Sequence, residues 1–101
     1  MTGKQRAYLR SLAQNLEPVL SVGKAGVTPE LCDAVSEALE ARELIKVNIL
    51  KNCFDDPREI ADTLSGRTRS DVIQLIGRKI VLYRPAKEPV IVLAKAKAGN
   101  A

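Results

Sequence analysis

Apolar residues recur along the chain with two periods, and the switching between them lays out a run of helices and strands. In 2–16, Ala7, Tyr8, Leu9, Leu12, Ala13 and Leu16 fall near helical spacing while Lys4, Arg6 and Arg10 occupy other faces, which predicts an amphipathic helix. Pro18 breaks it, and Val19-Leu20-Ser21-Val22 is an apolar run of strand length that stops at Gly23. Thr28-Pro29-Glu30 then combines a capping hydroxyl, a proline suited to the first helical position and an acid beside the positive end of a helix dipole. Leu31, Ala34, Val35, Ala38 and Leu39 continue at three-and-four spacing, so this second helix is expected to reach residue 41 or 42, with an acidic outer face.

Within 43–50, Ile45, Val47 and Ile49 alternate with Lys46 and Asn48, the pattern of a half-buried strand. Asp55-Asp56-Pro57 starts a third helix by the same capping logic, with Ile60, Ala61 and Leu64 turned inward and Gly66 as its expected stop. Residues 71–76 and 79–83 are rich in β-branched side chains and are joined at Gly77-Arg78, which predicts an antiparallel hairpin. A short apolar run, 90–93, precedes AKAKAGNA, which is expected to fray. The order α-β-α-β-α-β-β predicts an α/β fold: a two-layer sandwich whose four-stranded mixed sheet carries helices on one face. A single domain over 1–97 with a disordered tail, 98–101, accounts for the whole chain.

Composition narrows the chemistry. The chain has 101 residues, 46% of them apolar and 28% charged, enough for one modest core. It contains no histidine, which rules out Ser-His-Asp and Cys-His nucleophilic catalysis and any histidine-bearing metal site. Cys32 and Cys53 cannot supply a four-thiolate zinc site and read as reduced, half-buried thiols. No apolar run approaches the roughly 20 residues of a membrane span, and MTGKQR lacks the apolar core of a signal peptide, so the expected compartment is the cytoplasm, with no membrane partner. The aromatics are Tyr8, Phe54 and Tyr83, too few for a platform that stacks successive bases, so any nucleic-acid reading must rest on backbone contacts.

Candidate chemistry centres on Gly23-Lys24-Ala25-Gly26, a GxxG turn between a buried strand and the helix capped by Thr28. Two glycines permit positive φ and close approach, the helix N-terminus presents unsatisfied N–H groups, and Lys24 adds a full charge at the tip. These parts suit a phosphate. The spacing is neither a P-loop nor a dinucleotide fingerprint, and the same glycines could serve only the turn.

The net charge is +4, but it is segregated: 1–27 carries +3, 28–65 carries −5 and 66–101 carries +6. Clustered basic residues are the footprint of polyanion binding. The candidate set is Lys4, Arg6, Arg10, Lys24, Arg67, Arg69, Arg78, Lys79, Arg84 and Lys87, which forms one positive surface around the GxxG loop if the first and last thirds meet. The acids that cluster, Asp55 with Asp56 and Glu37 with Glu40, sit at a helix start or on a solvated face, where capping and solvation explain them. Cys32 lies early in the second helix with no histidine to act as its base, so neither an enzyme nor a cofactor is expected.

LEPVLSVGKAGVTPEL, LEARELIKVNIL and IGRKIVLYRP, in that order over about 4–87, resemble the YhbY-type CRM domain, an RNA-binding module named for chloroplast RNA splicing and ribosome maturation. The resemblance implies a fold similar to the C-terminal domain of the bacterial initiation factor that keeps ribosomal subunits apart. It also implies a stand-alone bacterial member that associates with ribosomal RNA in precursors of the large subunit and assists their maturation; a monomer is expected. The family's RNA-contacting loop carries over to Gly23, Lys24, Ala25 and Gly26, with Arg78, Lys79 and Arg84 of the third block adding phosphate contacts and Gly77 shaping the hairpin. Tyr83 either stacks on a base or packs against the sheet. A protein-docking module that uses the acidic helix or a sheet edge is the alternative from another class.

Overall fold

A computed structural model describes residues 1–91. The elements follow the expected order: α1 (Gly3–Ala13), β1 (Leu20–Val22), α2 (Pro29–Arg42), β2 (Leu44–Ile49), α3 (Pro57–Thr68), β3 (Asp71–Ile76) and β4 (Lys79–Tyr83). One four-stranded sheet has the order β1-β2-β4-β3, with β1 parallel to β2 and the other two pairings antiparallel. The end of the apolar run at 92–93, the AKAKAGNA segment and the tail assigned to 98–101 lie outside the described residues.

Alternation along the central strands sorts side chains into two cores. Ile45, Val47 and Ile49 of β2 and Ile80 and Leu82 of β4 meet Val35 and Leu39 of α2 and Ile60, Ala61 and Leu64 of α3. Leu44, Ile73, Val81 and Tyr83 point the other way and pack against Leu9 and Ala13 of α1. The sheet, α2 and α3 make the expected sandwich, while α1 adds a partial cover on the opposite face, where no helix was expected. The physical reason is the unbroken apolar runs at Leu44-Ile45 and Ile80 to Tyr83, which demand burial on both sides at that end of the sheet. At the other end the second face turns polar, and Ser21, Asn48 and Lys79 lie side by side by register.

Two helix ends differ from expectation. Helix α1 starts on a capping box, Thr2 accepting from the Gln5 amide, but stops at Ala13 rather than near residue 16. Pro18 cannot donate to the residue 14 carbonyl and pushes Glu17 out of the helical region, so the last turn before it unwinds. Helix α3 runs through Gly66 to Thr68, and Arg69 closes it in the left-handed conformation at φ 55° with its N–H on the Ser65 carbonyl. Glycine is merely costly inside a helix, by about 1 kcal/mol, so it does not by itself set the end.

Glu43 joins α2 to β2. It is completely buried and its φ of 68° reverses the chain, with its N–H donating to the Leu39 carbonyl at 2.7 Å. Its carboxylate accepts from the amides of Ala86 at 2.8 Å, Val90 at 2.8 Å and Ile91 at 2.6 Å. Burial pushes the pKa up, but the three amide donors outweigh it and hold the carboxyl below the ordinary 4.5. Tyr83, 4% exposed, packs in the second core, and its hydroxyl is pushed up by burial, then by the charges of Glu43 and Asp71.

Because its folded pKa is depressed, Glu43 contributes stability that is fully present above pH 4.5 and is lost as pH falls through the folded value. Glu43→Gln should therefore destabilise by about 2 kcal/mol at neutral pH and flatten the acid limb of a stability-versus-pH curve measured by urea unfolding.

Candidate functional site

Parallel pairing decides where the candidate loop sits. Because β1 and β2 run the same way, with Val22 opposite Ile49, the loops that follow them leave the sheet at the same end. The Leu50 amide donates to the Val22 carbonyl at 2.9 Å, and a Cβ on Gly23 would lie 3.9 Å from Leu50 Cδ1. The GxxG turn, 23–26, and the β2–α3 loop, 50–56, are thus one structural unit.

Inside the turn the glycines have different duties. Gly26 is buried with φ +71°, and a Cβ there would meet Asp55 Oδ2 at 2.6 Å. Gly23 has ordinary φ and room for a methyl, so only one of the two uses the conformational freedom of glycine. The Gly26 amide closes the turn on the Gly23 carbonyl at 2.9 Å, while among the described residues no acceptor takes the Lys24 or Ala25 amide. Lys24 and Ala25 are exposed at the tip. Thr28 follows as the α2 cap, its hydroxyl accepting from the Leu31 amide at 3.0 Å and so ordering the helix end beside the turn. Behind the turn, a cavity of about 220 Å³ is lined by Ala25, Val27, Asp55, Glu59, Ile60 and Thr63. Its carboxylates disfavour an anion there and leave the Lys24 side as the approach for phosphate.

The hairpin at Gly77, φ +58°, brings Arg78 under this unit. Arg78 donates from Nε to the Ile49 carbonyl at 3.0 Å and from Nη2 to the Leu50 and Cys53 carbonyls, each at 2.7 Å. Its guanidinium is a clamp on the β2–α3 loop. Lys79 is exposed beside it, with Nζ 3.1 Å from Asn48 Oδ1.

The other basic residues do not converge here. Arg84 donates to the Ser36 hydroxyl and carbonyl and to the Thr68 carbonyl, and pairs with Glu40 at 3.7 Å, tying the end of β4 to α2 and α3. Arg67 and Arg69 stand at that same far end of α3. Arg6 donates to the Val72 carbonyl at 2.6 Å, docking α1 on edge strand β3, and Lys4 and Arg10 ride on the same helix. The Lys87 amide donates to Glu40. The expected single positive surface does not form: Lys24, Arg78 and Lys79 stand at the loop end, and Arg6, Arg67, Arg69 and Arg84 at the opposite end, with Arg6 and Arg84 engaged within the protein.

Lys51, exposed in the β2–α3 loop, belongs to the loop-end group and was missed from sequence. The signal existed: a β-α-β order implies parallel strands, and loops at the C-terminal ends of parallel strands are neighbours. Cys32 and Cys53 are both free thiols, the latter buried. The exposed edge of β3 is interrupted by an irregularity at Val72/Gln74 and by Arg6, devices that discourage edge-to-edge pairing.

Comparison with known proteins shows the family and the fold. The family model described as the CRS1 / YhbY (CRM) domain matches residues 1–84. The chain is 49% identical over 88 residues to the probable RNA-binding protein YqeI of Bacillus subtilis, covering 87% of this chain and 92% of that protein. It is 35% identical to the probable RNA-binding protein PA4753 of Pseudomonas aeruginosa, covering 88% and 86% of the two chains. The solution structure of the Staphylococcus aureus protein SAV1595 superimposes with a TM-score of 0.78 at 48% identity, covering 93% of this chain and 99% of that one.

Two outcomes follow from the loop geometry. Gly26→Ala should lose about 1–3 kcal/mol in thermal unfolding, whereas Gly23→Ala should stay within about 0.5 kcal/mol of the parent. Arg78→Ala should leave the global fold in place and speed hydrogen exchange at the Leu50 and Cys53 amides by roughly tenfold or more, as hydrogen bonds from a charged donor are lost.

Proposed function

Because the chain belongs to the CRS1/YhbY (CRM) domain family, we propose that it is a non-catalytic RNA-binding protein, working as a cytoplasmic monomer on ribosomal RNA in precursors of the large ribosomal subunit. The observation that carries this reading is the unit at the C-terminal ends of β1 and β2. There the Lys24 and Ala25 amides and the ordered start of α2 meet at one turn, and Lys24, Lys51 and Lys79 are exposed at the same end of the sheet. Such a set holds phosphate by charge-assisted hydrogen bonds and by the positive end of the helix dipole. Arg78 supports the site by holding the loop, and Arg67 and Arg69, with Lys4 and Arg10 of α1, supply a second, weaker area for a long RNA. Contacts of this kind orient the backbone and recognise shape more than sequence. The Bacillus subtilis and Pseudomonas aeruginosa relatives, named as probable RNA-binding proteins, support RNA as the ligand class. Among the described residues no helix is long and apolar enough to cross a membrane.

The docking alternative is less favoured because Glu40 is engaged by Arg84 and the Lys87 amide, and the β3 edge is blunted. Filter binding to a ribosomal RNA fragment at two salt concentrations should show affinity falling steeply with salt, with a log–log slope near −0.7 per phosphate neutralised on single-stranded RNA. Lys24→Glu combined with Lys51→Glu should lose about tenfold or more in affinity and reduce the slope by about 1–2, with the circular dichroism spectrum unchanged. Glu37→Lys should leave the affinity undiminished. Salt-independent or absent binding would sink the reading, and crosslinking in cells that recovers no large-subunit RNA would remove its ribosomal part.

A further inference from the structure

Phe54 is 89% exposed, more than any other large apolar side chain among the described residues. A phenyl ring left in water is unfavourable, and nothing in the packing of the β2–α3 loop requires it. The backbone that carries it is nevertheless held on both sides. Cys53 is buried, its amide donates to the Leu50 carbonyl at 3.0 Å, and its own carbonyl accepts from Arg78 at 2.7 Å. Asp55 abuts Gly26 of the GxxG turn, and Asp56 caps α3 through the Arg58 amide at 3.1 Å. The ring therefore stands on a pinned segment one residue away from the turn, with only its two side-chain torsions left to order.

We propose that Phe54 is a base-stacking residue: its ring takes an unpaired RNA nucleobase from the strand whose phosphates the GxxG turn, Lys24 and Lys51 hold. The proposal rests on the RNA-binding reading above and adds to it the kind of RNA, a strand with an unpaired nucleotide. Charge decides what sits on the ring. Lys51, shortly before the ring in the chain, attracts the backbone, whereas Asp55 and Asp56, directly after it, repel phosphate and can accept hydrogen bonds from base amino or imino groups. Apart from Phe54 the loop exposes only part of Leu50, which is too little apolar surface for a protein helix that needs several anchors in a groove, whereas the ring matches the face of one base. A base already paired in a duplex cannot reach it, so stacking makes single strands, loops and bulges the preferred targets.

The chain contains no tryptophan, so Phe54→Trp creates a single reporter at the site. The probes are a labelled single-stranded adenylate 12-mer and a blunt 12-base-pair RNA duplex, titrated against the full chain and its variants by anisotropy. Phe54→Ala should lose about tenfold in affinity for the single strand and leave duplex affinity unchanged, Phe54→Tyr and Phe54→Trp should retain the parent's affinity, and the tryptophan emission should be quenched as the single strand saturates. Thermal unfolding of Phe54→Ala at the parental temperature shows that the fold is intact. If Phe54→Ala binds the single strand like the parent, or the tryptophan emission does not move while Lys24→Glu still loses binding, the stacking role is wrong and the RNA reading stands. An equal loss on single strand and duplex also overturns stacking. If the parent binds neither probe nor ribosomal RNA, both fail together.

Discussion

A buried carboxylate holds one end of this molecule together. Glu43 reverses the chain between α2 and the central strand β2, caps the helix with its amide, accepts the Arg84 amide on its carbonyl, and gathers the segment after β4 with its side chain. The left-handed backbone it adopts is strained for a residue with a Cβ. That strain persists because the side chain, once placed, satisfies three amides that would otherwise compete for water. A charge in that position is tolerable only because every donor around it is a fixed backbone group. Arg84, whose amide donates to the Glu43 carbonyl at 2.9 Å, performs the complementary task, bonding the last carbonyl of α3 and the Ser36 carbonyl of α2. Together these two residues bind both helices and β4 into one rigid end.

With that end closed, the opposite end of the sheet is free to differ. The second face of the sheet is apolar where α1 crosses it and polar where α1 does not reach, at Ser21, Asn48 and Lys79. The loops after β1 and β2 open at this polar end, and Arg78 fastens one of them from below with three hydrogen bonds. The division of labour between the arginines is therefore structural at both ends, with Arg78 and Arg84 directed at carbonyls inside the protein. Lysines 24, 51 and 79 keep their charge at the surface. This fits the chemistry of the two side chains, since a planar guanidinium bridges several carbonyls at once and an ammonium on a flexible stem does not.

Much of the architecture was readable from periodicity and caps. Thr28-Pro29 and Asp56-Pro57 begin their helices as the sequence indicates, and the alternation at Ile45, Val47 and Ile49 places β2 and its inward face correctly. The candidate turn was also readable, because glycine spacing and a following cap are local signals. What eluded sequence was partnership. Regional charge suggested one basic surface, but whether two basic residues share a face depends on strand order, and β1-β2-β4-β3 sends Arg84 to the end away from the turn. Nothing local distinguishes an arginine that faces solvent from one that clamps a loop. Similarly, Glu43 looks like any acid at the start of a strand, and its burial follows from residues more than forty positions later.

By itself, then, the sequence determined the elements, their order, the α/β class and the turn between β1 and α2, because these rest on interactions within a few residues: helical and strand periods, capping, and the conformational range of glycine. Only the tertiary structure decided that α1 crosses the second face, that Gly26 and not Gly23 needs its positive φ, that Phe54 is left standing in solvent beside the turn, and which charges act outward. Each of those outcomes depends on contacts between residues far apart in the chain, and such contacts exist only once the parallel and antiparallel pairings of the sheet have set which loops and faces meet.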